Sequence, residues 1–137
     1  QREQIERYRT AWWAAGHDWT PRVSVSRSIF PITSNLDDLY FGRRGGQGDQ
    51  IGIIDDTRST FGKTYAGEPD ELIAALRADA AVEAADTVLL TIPNQLGVDY
   101  NLHILESFAE HVAPALGWRA NSEGPVRPDP IDGHPGA

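Results

Sequence analysis

The stretch DTVLLTIPNQLGVDYN, Asp86 to Asn101, sets two side-chain amides, Asn94 and Gln95, just after an apolar run and a proline. Amides donate and accept hydrogen bonds without carrying charge. At the spent end of a buried strand they could hold the edge of an oxygenated ligand. The plainer alternative is that Asn94 caps the strand and Gln95 points to water. A second group is Ser26, Arg27 and Ser28 in PRVSVSRSIFPI. Ser26 and Ser28 share one parity and could wall a polar cavity. Arg27 has the opposite parity and offers a cation to a carboxylate, either on a ligand or on an acidic neighbour in a helix layer. A third group surrounds FGRRGGQGDQ, which holds four glycines in ten residues together with Arg43 and Arg44. These arginines, with Lys63, could meet anionic groups or could be ordinary solvated charges. The glycine spacing is not that of a P-loop or a dinucleotide fingerprint. His103 and His111 are eight residues apart, too far for a shared metal at i, i+4 spacing. The histidines therefore indicate no metal site and no triad.

These groups need a scaffold, and the composition allows one. The chain has 137 residues, 40% of them hydrophobic, which suits a single domain. No run approaches the ~20 apolar residues of a membrane span, and no signal-like segment opens the chain. Zero cysteines exclude disulfides and thiolate zinc sites, and this agrees with a cytoplasmic home. A net charge of -8 argues against a nucleic-acid partner. There is no methionine, even at position 1, so the expectation is a piece of a longer protein.

Periodicity then places the elements. Residues 1–15 read as a helix with Ile5, Tyr8, Trp12 and Trp13 on one stripe and Gly16 as its stop. Residues 21–32 read as a strand with Val23, Val25 and Ile29 on one face and Ser24, Ser26 and Ser28 on the other. That serine face would border a cavity, or else belong to a wet edge strand. Residues 33–67 read as a long irregular connection, anchored by Tyr40, Phe41, Phe61 and Tyr65, with QIGIIDD as a short strand within it. Residues 68–85 read as a helix opened by Pro69, with Leu72, Ile73 and Leu76 inside. Residues 87–92 read as a strand. Residues 100–116 read as a helix capped by Asp99, with Leu105, Phe108, Ala109, Val112 and Leu116 inside and Pro114 in its last turn. Residues 120–137 carry four prolines and three glycines and read as a disordered tail. A helix in each connection makes the strand pair parallel. Two parallel strands cannot bury both faces, so the pattern asks for more strands.

FGKTYAGEPDELIAAL followed by ADTVLLTIPNQLGVDYNLHILESFAEHVAPALGW resembles the C-terminal end of luciferase-like flavin-dependent monooxygenases, with Gly67, Pro69, Glu71, Val112, Pro114 and Leu116 on the pattern. Glu68 departs from it, since Ser or Thr is usual there. The resemblance covers roughly residues 1–119. It implies an α/β fold, the last quarter of a (β/α)8 TIM barrel: helix 6, strand 7, helix 7, strand 8 and helix 8. It also implies reduced FMN as cofactor, O2 and a small organic substrate, with a flavin reductase supplying the cofactor. The same superfamily suggests deazaflavin hydride transfer as an alternative. Within this frame Ser26, Arg27, Ser28, Asn94 and Gln95 become candidates for holding flavin or substrate. Residues 33–67 become a lid, with Arg43, Arg44, Lys63 and Tyr65 as its candidate contacts. A rival expectation is a non-catalytic fragment that assembles with itself or with a complementary barrel portion.

Overall fold

The computed structural model describes residues 1–42, 48–54, 57–92 and 94–120. Arg43, Arg44 and the tail from residue 121 onward lie outside the described residues. The chain is a mixed α/β structure built on one sheet. Its centre is β1 (Ser24–Pro31). On one side β4 (Thr87–Leu90) runs parallel to it, from Ser24↔Thr87 to Arg27↔Leu90. On the other side β3 (Thr57–Gly67) is also parallel, from Arg27↔Lys63 to Pro31↔Gly67. β2 (Gly48–Ile54) pairs antiparallel with β3, which gives the order β2-β3-β1-β4. The expected parallel pair is therefore present, with a third parallel strand beside it. β3 follows β1 in the chain yet lies across it from β4. The spatial order is thus not the sequential one of a barrel. β3 pairs with β1 only from Arg27 onward, so among the described residues the Ser24–Ser26 edge on that side has no strand partner.

The connection expected to be irregular holds three elements: α2 (Asn35–Phe41), β2 and β3. α2 begins at a capping box, in which Ser34 accepts the Asp37 N–H and Asp37 takes the Ser34 N–H in return. The helix expected over 68–85 is two helices, α3 (Pro69–Ala78) and α4 (Ala80–Ala84). Asp79 separates them in extended geometry and caps α4 by accepting the Ala81 and Val82 N–H groups. α3 starts at Pro69, where the missing N–H costs nothing, and Glu71 accepts the Glu68 N–H at 3.3 Å.

The last helix, α5 (Val98–His111), begins two residues earlier than expected, after Gly97 with φ +82°, and Asp99 lies inside it. After Val112 the chain tightens into a 3-10 helix over Ala113–Leu116, where Pro114 cannot supply the next α-helical N–H. Ile104 and Ser107 are buried on α5, while Leu105, expected inside, is exposed. α1 (Arg2–Ala14) buries Ile5, but Tyr8 and Trp13 are about half exposed.

The core lies on one face of the sheet. Ile29 and Tyr65 meet Leu72 and Leu76 of α3 and Val112 beyond α5. Val25 meets Ile5 of α1 and Ala81 of α4. Val88 and Leu90 of β4 pack on the same side. By strand parity the other face carries Ser24, Ser26, Ser28 and Phe30 from β1 and Thr87 and Leu89 from β4. At its first half this face is open: Ser24, Thr87 and Leu89 are exposed. Toward the C-terminal end it is covered, and Phe30 stacks on Phe41 of α2 at 4.2 Å.

Candidate functional site

Open α/β sheets bind ligands outside the carboxyl ends of their strands. At that end here Thr33 and Ser34 follow β1, α2 begins, and α5 presents its first turns. Asp37 is their meeting point and is 1% exposed. Its Oδ2 accepts the N–H groups of Thr33 (3.0 Å) and Ser34 (2.9 Å) and their hydroxyls (3.1 and 2.9 Å). Its Oδ1 accepts the Tyr100 hydroxyl at 2.5 Å. His103 Nε2 lies 2.9 Å from Oδ1 and 3.1 Å from Oδ2. Tyr100 and His103 are three apart on α5 and so share a face.

The electrostatics follow from these contacts. Burial pushes the Asp37 carboxyl up, but the hydrogen bonds from Tyr100, His103, Thr33 and Ser34 outweigh it and hold the group well below the usual carboxylate range. Tyr100 is raised, first by burial, then by its hydrogen bond to Asp37 and by the Asp37 charge, so it stays a neutral donor. A carboxylate only accepts, so the ring nitrogen facing it carries hydrogen. The hydrogen-bond network thus assigns neutral His103 as the Nε2–H tautomer, with the lone pair on Nδ1. The His103 side chain is 38% exposed, whereas Asp37 is enclosed. An imidazole oriented by a buried carboxylate, with its ring partly exposed, is equipped to move a proton.

A second network lies beneath the sheet. Arg27 Nε donates to Asp79 Oδ2 at 2.8 Å, and the Tyr65 hydroxyl donates to the same oxygen at 2.7 Å. Arg27 Nη1 donates to the Ser26 carbonyl at 2.7 Å. Arg27 Nη2 is buried with no partner among the described residues. Burial would raise Asp79, but Arg27 and then Tyr65 hold it well below the carboxylate range. Tyr65 is pushed up to about 12, first by burial and then by Asp79. This network joins β1, β3 and the α3–α4 joint.

The sequence-derived candidates thus separate in space. Arg27 and Tyr65 come together at Asp79, on the helix side, where Arg27 takes the acidic neighbour from the helix layer. Tyr65 is a core residue of β3, 2% exposed, rather than part of an irregular connection. Lys63 is half-buried in β3, in register with Arg27. Ser26 faces the other way, and its hydroxyl meets Thr91 Oγ1 at 2.8 Å. Ser28 has the same parity but is 4% exposed. Asn94 and Gln95 lie in a 3-10 turn over Asn94–Leu96, and Gln95 is exposed.

Asp37, Tyr100 and Asp79 are not singled out by the sequence, and His103 enters there only with His111, as a metal pair that the spacing sets aside. The signals present were the Ser-x-x-Asp capping spacing at Ser34–Asp37 and the i, i+3 pair Tyr100 and His103. A cleft of about 580 Å³ also opens between α2 and α3, and Asp38, Glu68 and Glu71 are among its lining residues. Among the described residues no group of three or more His, Cys, Asp or Glu could hold a metal ion. Among the described residues no helix is long and apolar enough to cross a membrane. Compared with known proteins, the chain matches no family model, no curated protein and no solved structure.

Proposed function

We propose that this chain is the closing sector of a luciferase-like (β/α)8 barrel and serves a flavin-dependent monooxygenase. The whole enzyme would use reduced FMN and O2 to oxygenate a small organic substrate. The observation that carries this reading is the two-sided character of the parallel pair β1 and β4. Helices cover one face, and the other presents the Ser24 and Ser26 hydroxyls from the first half of β1, with Ser26 beside Thr91 just after β4, as a polar barrel lumen would. Among the described residues β3 pairs only with the later half of β1, and a preceding barrel strand would pair along the Ser24–Ser26 edge. The flavin would supply the oxygen chemistry when bound. Ser26, Thr91 and the Gln95 amide would orient it or the substrate through uncharged hydrogen bonds. Reduced deazaflavin in place of FMN is the variant of the same reading.

The test mixes the chain with excess FMN, removes free cofactor and records the flavin bands, then follows oxygen uptake with chemically reduced FMN. Retained flavin, weakened by Ser26→Leu, together with oxygen use above the free-flavin rate is expected. Anaerobic titration with reduced deazaflavin separates the variant. Leu89, 54% exposed on the open face, favours a second reading, a non-catalytic fragment that acts by assembly. A multimer on size exclusion with no flavin uptake would select that reading and end the first.

A further inference from the structure

We propose that Tyr40, Tyr100 and His103 form a binding site for a planar aromatic ligand bearing a weakly acidic hydroxyl, and that His103 Nδ1 takes the hydroxyl proton. The proposal goes beyond the flavin reading and does not depend on it. Three observations converge. The first is the base itself. Two Asp37 oxygens fix Nε2 of His103, so the Nδ1 lone pair is aimed by a buried anchor, and Nδ1 has no partner among the described residues. The second is the wall beside it. The Tyr100 ring lies 5.5 Å from the His103 ring, and Tyr40 meets Tyr100 edge-on at 5.2 Å and 83°. Tyr40 is 47% exposed, and Leu36, one turn earlier on α2, is exposed as well. Such a surface takes a flat ring by stacking or edge contact. The third is rigidity. Phe41 stacks on Phe30, and the α2 capping box ends in the same Asp37 carboxylate, so wall and base share one support.

The step balances without a co-reactant. The ligand O–H bond breaks, its electron pair stays on oxygen, and an N–H bond forms at Nδ1. The resulting imidazolium faces the Asp37 anion through Nε2–H. Nothing is oxidised or reduced, and the proton returns to water from the exposed side of the ring. His103 is the residue that touches the ligand proton, and Asp37 and Tyr100 position it.

The probe is p-nitrophenol, whose phenolate has its own colour, added to the intact chain at a pH below the probe's ionisation. A saturable phenolate band is expected. His103→Gln should abolish it, and Tyr40→Ala should weaken binding about fivefold by removing one ring contact. Nitrogen NMR of the histidines should show the Nε2–H tautomer at His103 in the unaltered chain. Asp37→Asn should lose that bias and Asp37→Glu should restore part of it, which a merely structural role for Asp37 would not do. An unsaturable band, an unchanged band in folded His103→Gln, or a neutral His103 protonated at Nδ1 overturns the proposal. Should His103→Gln fail to fold, the His103 signals of the unaltered chain decide: movement with p-nitrophenol supports the site, and none refutes it.

Discussion

Arg27→Met tests what the buried network beneath the sheet contributes. The Arg27 side chain is 0% exposed and that of Asp79 is 4%, so water screens this pair very little. Removing the guanidinium leaves a buried carboxylate without its cation, which costs about 3–5 kcal/mol in such settings. Asp79 keeps the Tyr65 hydroxyl and the Ala81 N–H, and methionine refills the arginine stem. The low end, about 3 kcal/mol, is therefore expected. Small domains hold about 5–15 kcal/mol in all, so the loss is large but survivable. With a urea slope of about 1–3 kcal/mol per M, the midpoint should fall by roughly 1–3 M. The assay is equilibrium urea unfolding followed by tryptophan emission and far-UV circular dichroism together. The double variant Arg27→Met/Asp79→Asn removes both charges while retaining an amide near the acceptor's place. It should recover to within about 1 kcal/mol of the parent, because the stranded charge is gone. A single variant within about 0.5 kcal/mol of the parent, the range of ordinary surface changes, would refute the reasoning. So would a double variant less stable than Arg27→Met alone.

Further outcomes follow from the same geometry. Asp37 and Asp79 are both held low in the folded chain, so the stability they add is complete above the ordinary carboxylate range and drains away as pH falls from there through the folded values. Urea midpoints should drop on acidification, and Asp79→Asn should flatten that profile. Tyr65 is shifted the other way, to about 12, so its contribution is complete below the ordinary tyrosine range and is lost as pH rises through the folded value. Ultraviolet titration should show a late phenol missing in Tyr65→Phe. Tyr100→Phe removes a donor from Asp37 and should cost about 1–2 kcal/mol in urea unfolding. Gly117, at φ +92°, ends the last 3-10 helix, and Gly117→Ala should cost about 1 kcal/mol in the same assay.

Much of the scaffold was legible because it is written in local periods. The alternation from Val23 to Ile29 announces β1 and puts Arg27 on the valine parity, while leaving open whether a ligand or a helix-layer carboxylate answers it. The helical connections give the parallel pairing of β1 and β4. Where the reading failed, a distant partner decided. The helix over 68–85 breaks at Asp79 because that carboxylate answers Arg27, 52 residues away. Leu105 and Ile104 are neighbours in sequence, and docking of α5 on β1 decides which one is buried. Within residues 33–67 QIGIIDD is legible as a strand, close to β2, whereas β3 is not, because pairing with β1 rather than a local period defines it. The Asp37–His103 contact spans 66 residues, and neither partner looks unusual by itself. Only the capping spacing at Ser34 hinted that Asp37 had a fixed orientation.

The central strand also implies an uneven tolerance to mutation. Val25, Arg27 and Ile29 each answer to a neighbour in the helix layer, whereas Ser24 and Ser26 touch little beyond one hydroxyl. A saturation screen for foldedness should therefore show a beat of two through the first half of the strand, harsh then lenient. The beat should vanish from Ser28 onward, where both sides of the ribbon are enclosed. Diversity introduced at 24 and 26 would thus alter what the exposed side can meet while leaving the domain's architecture undisturbed.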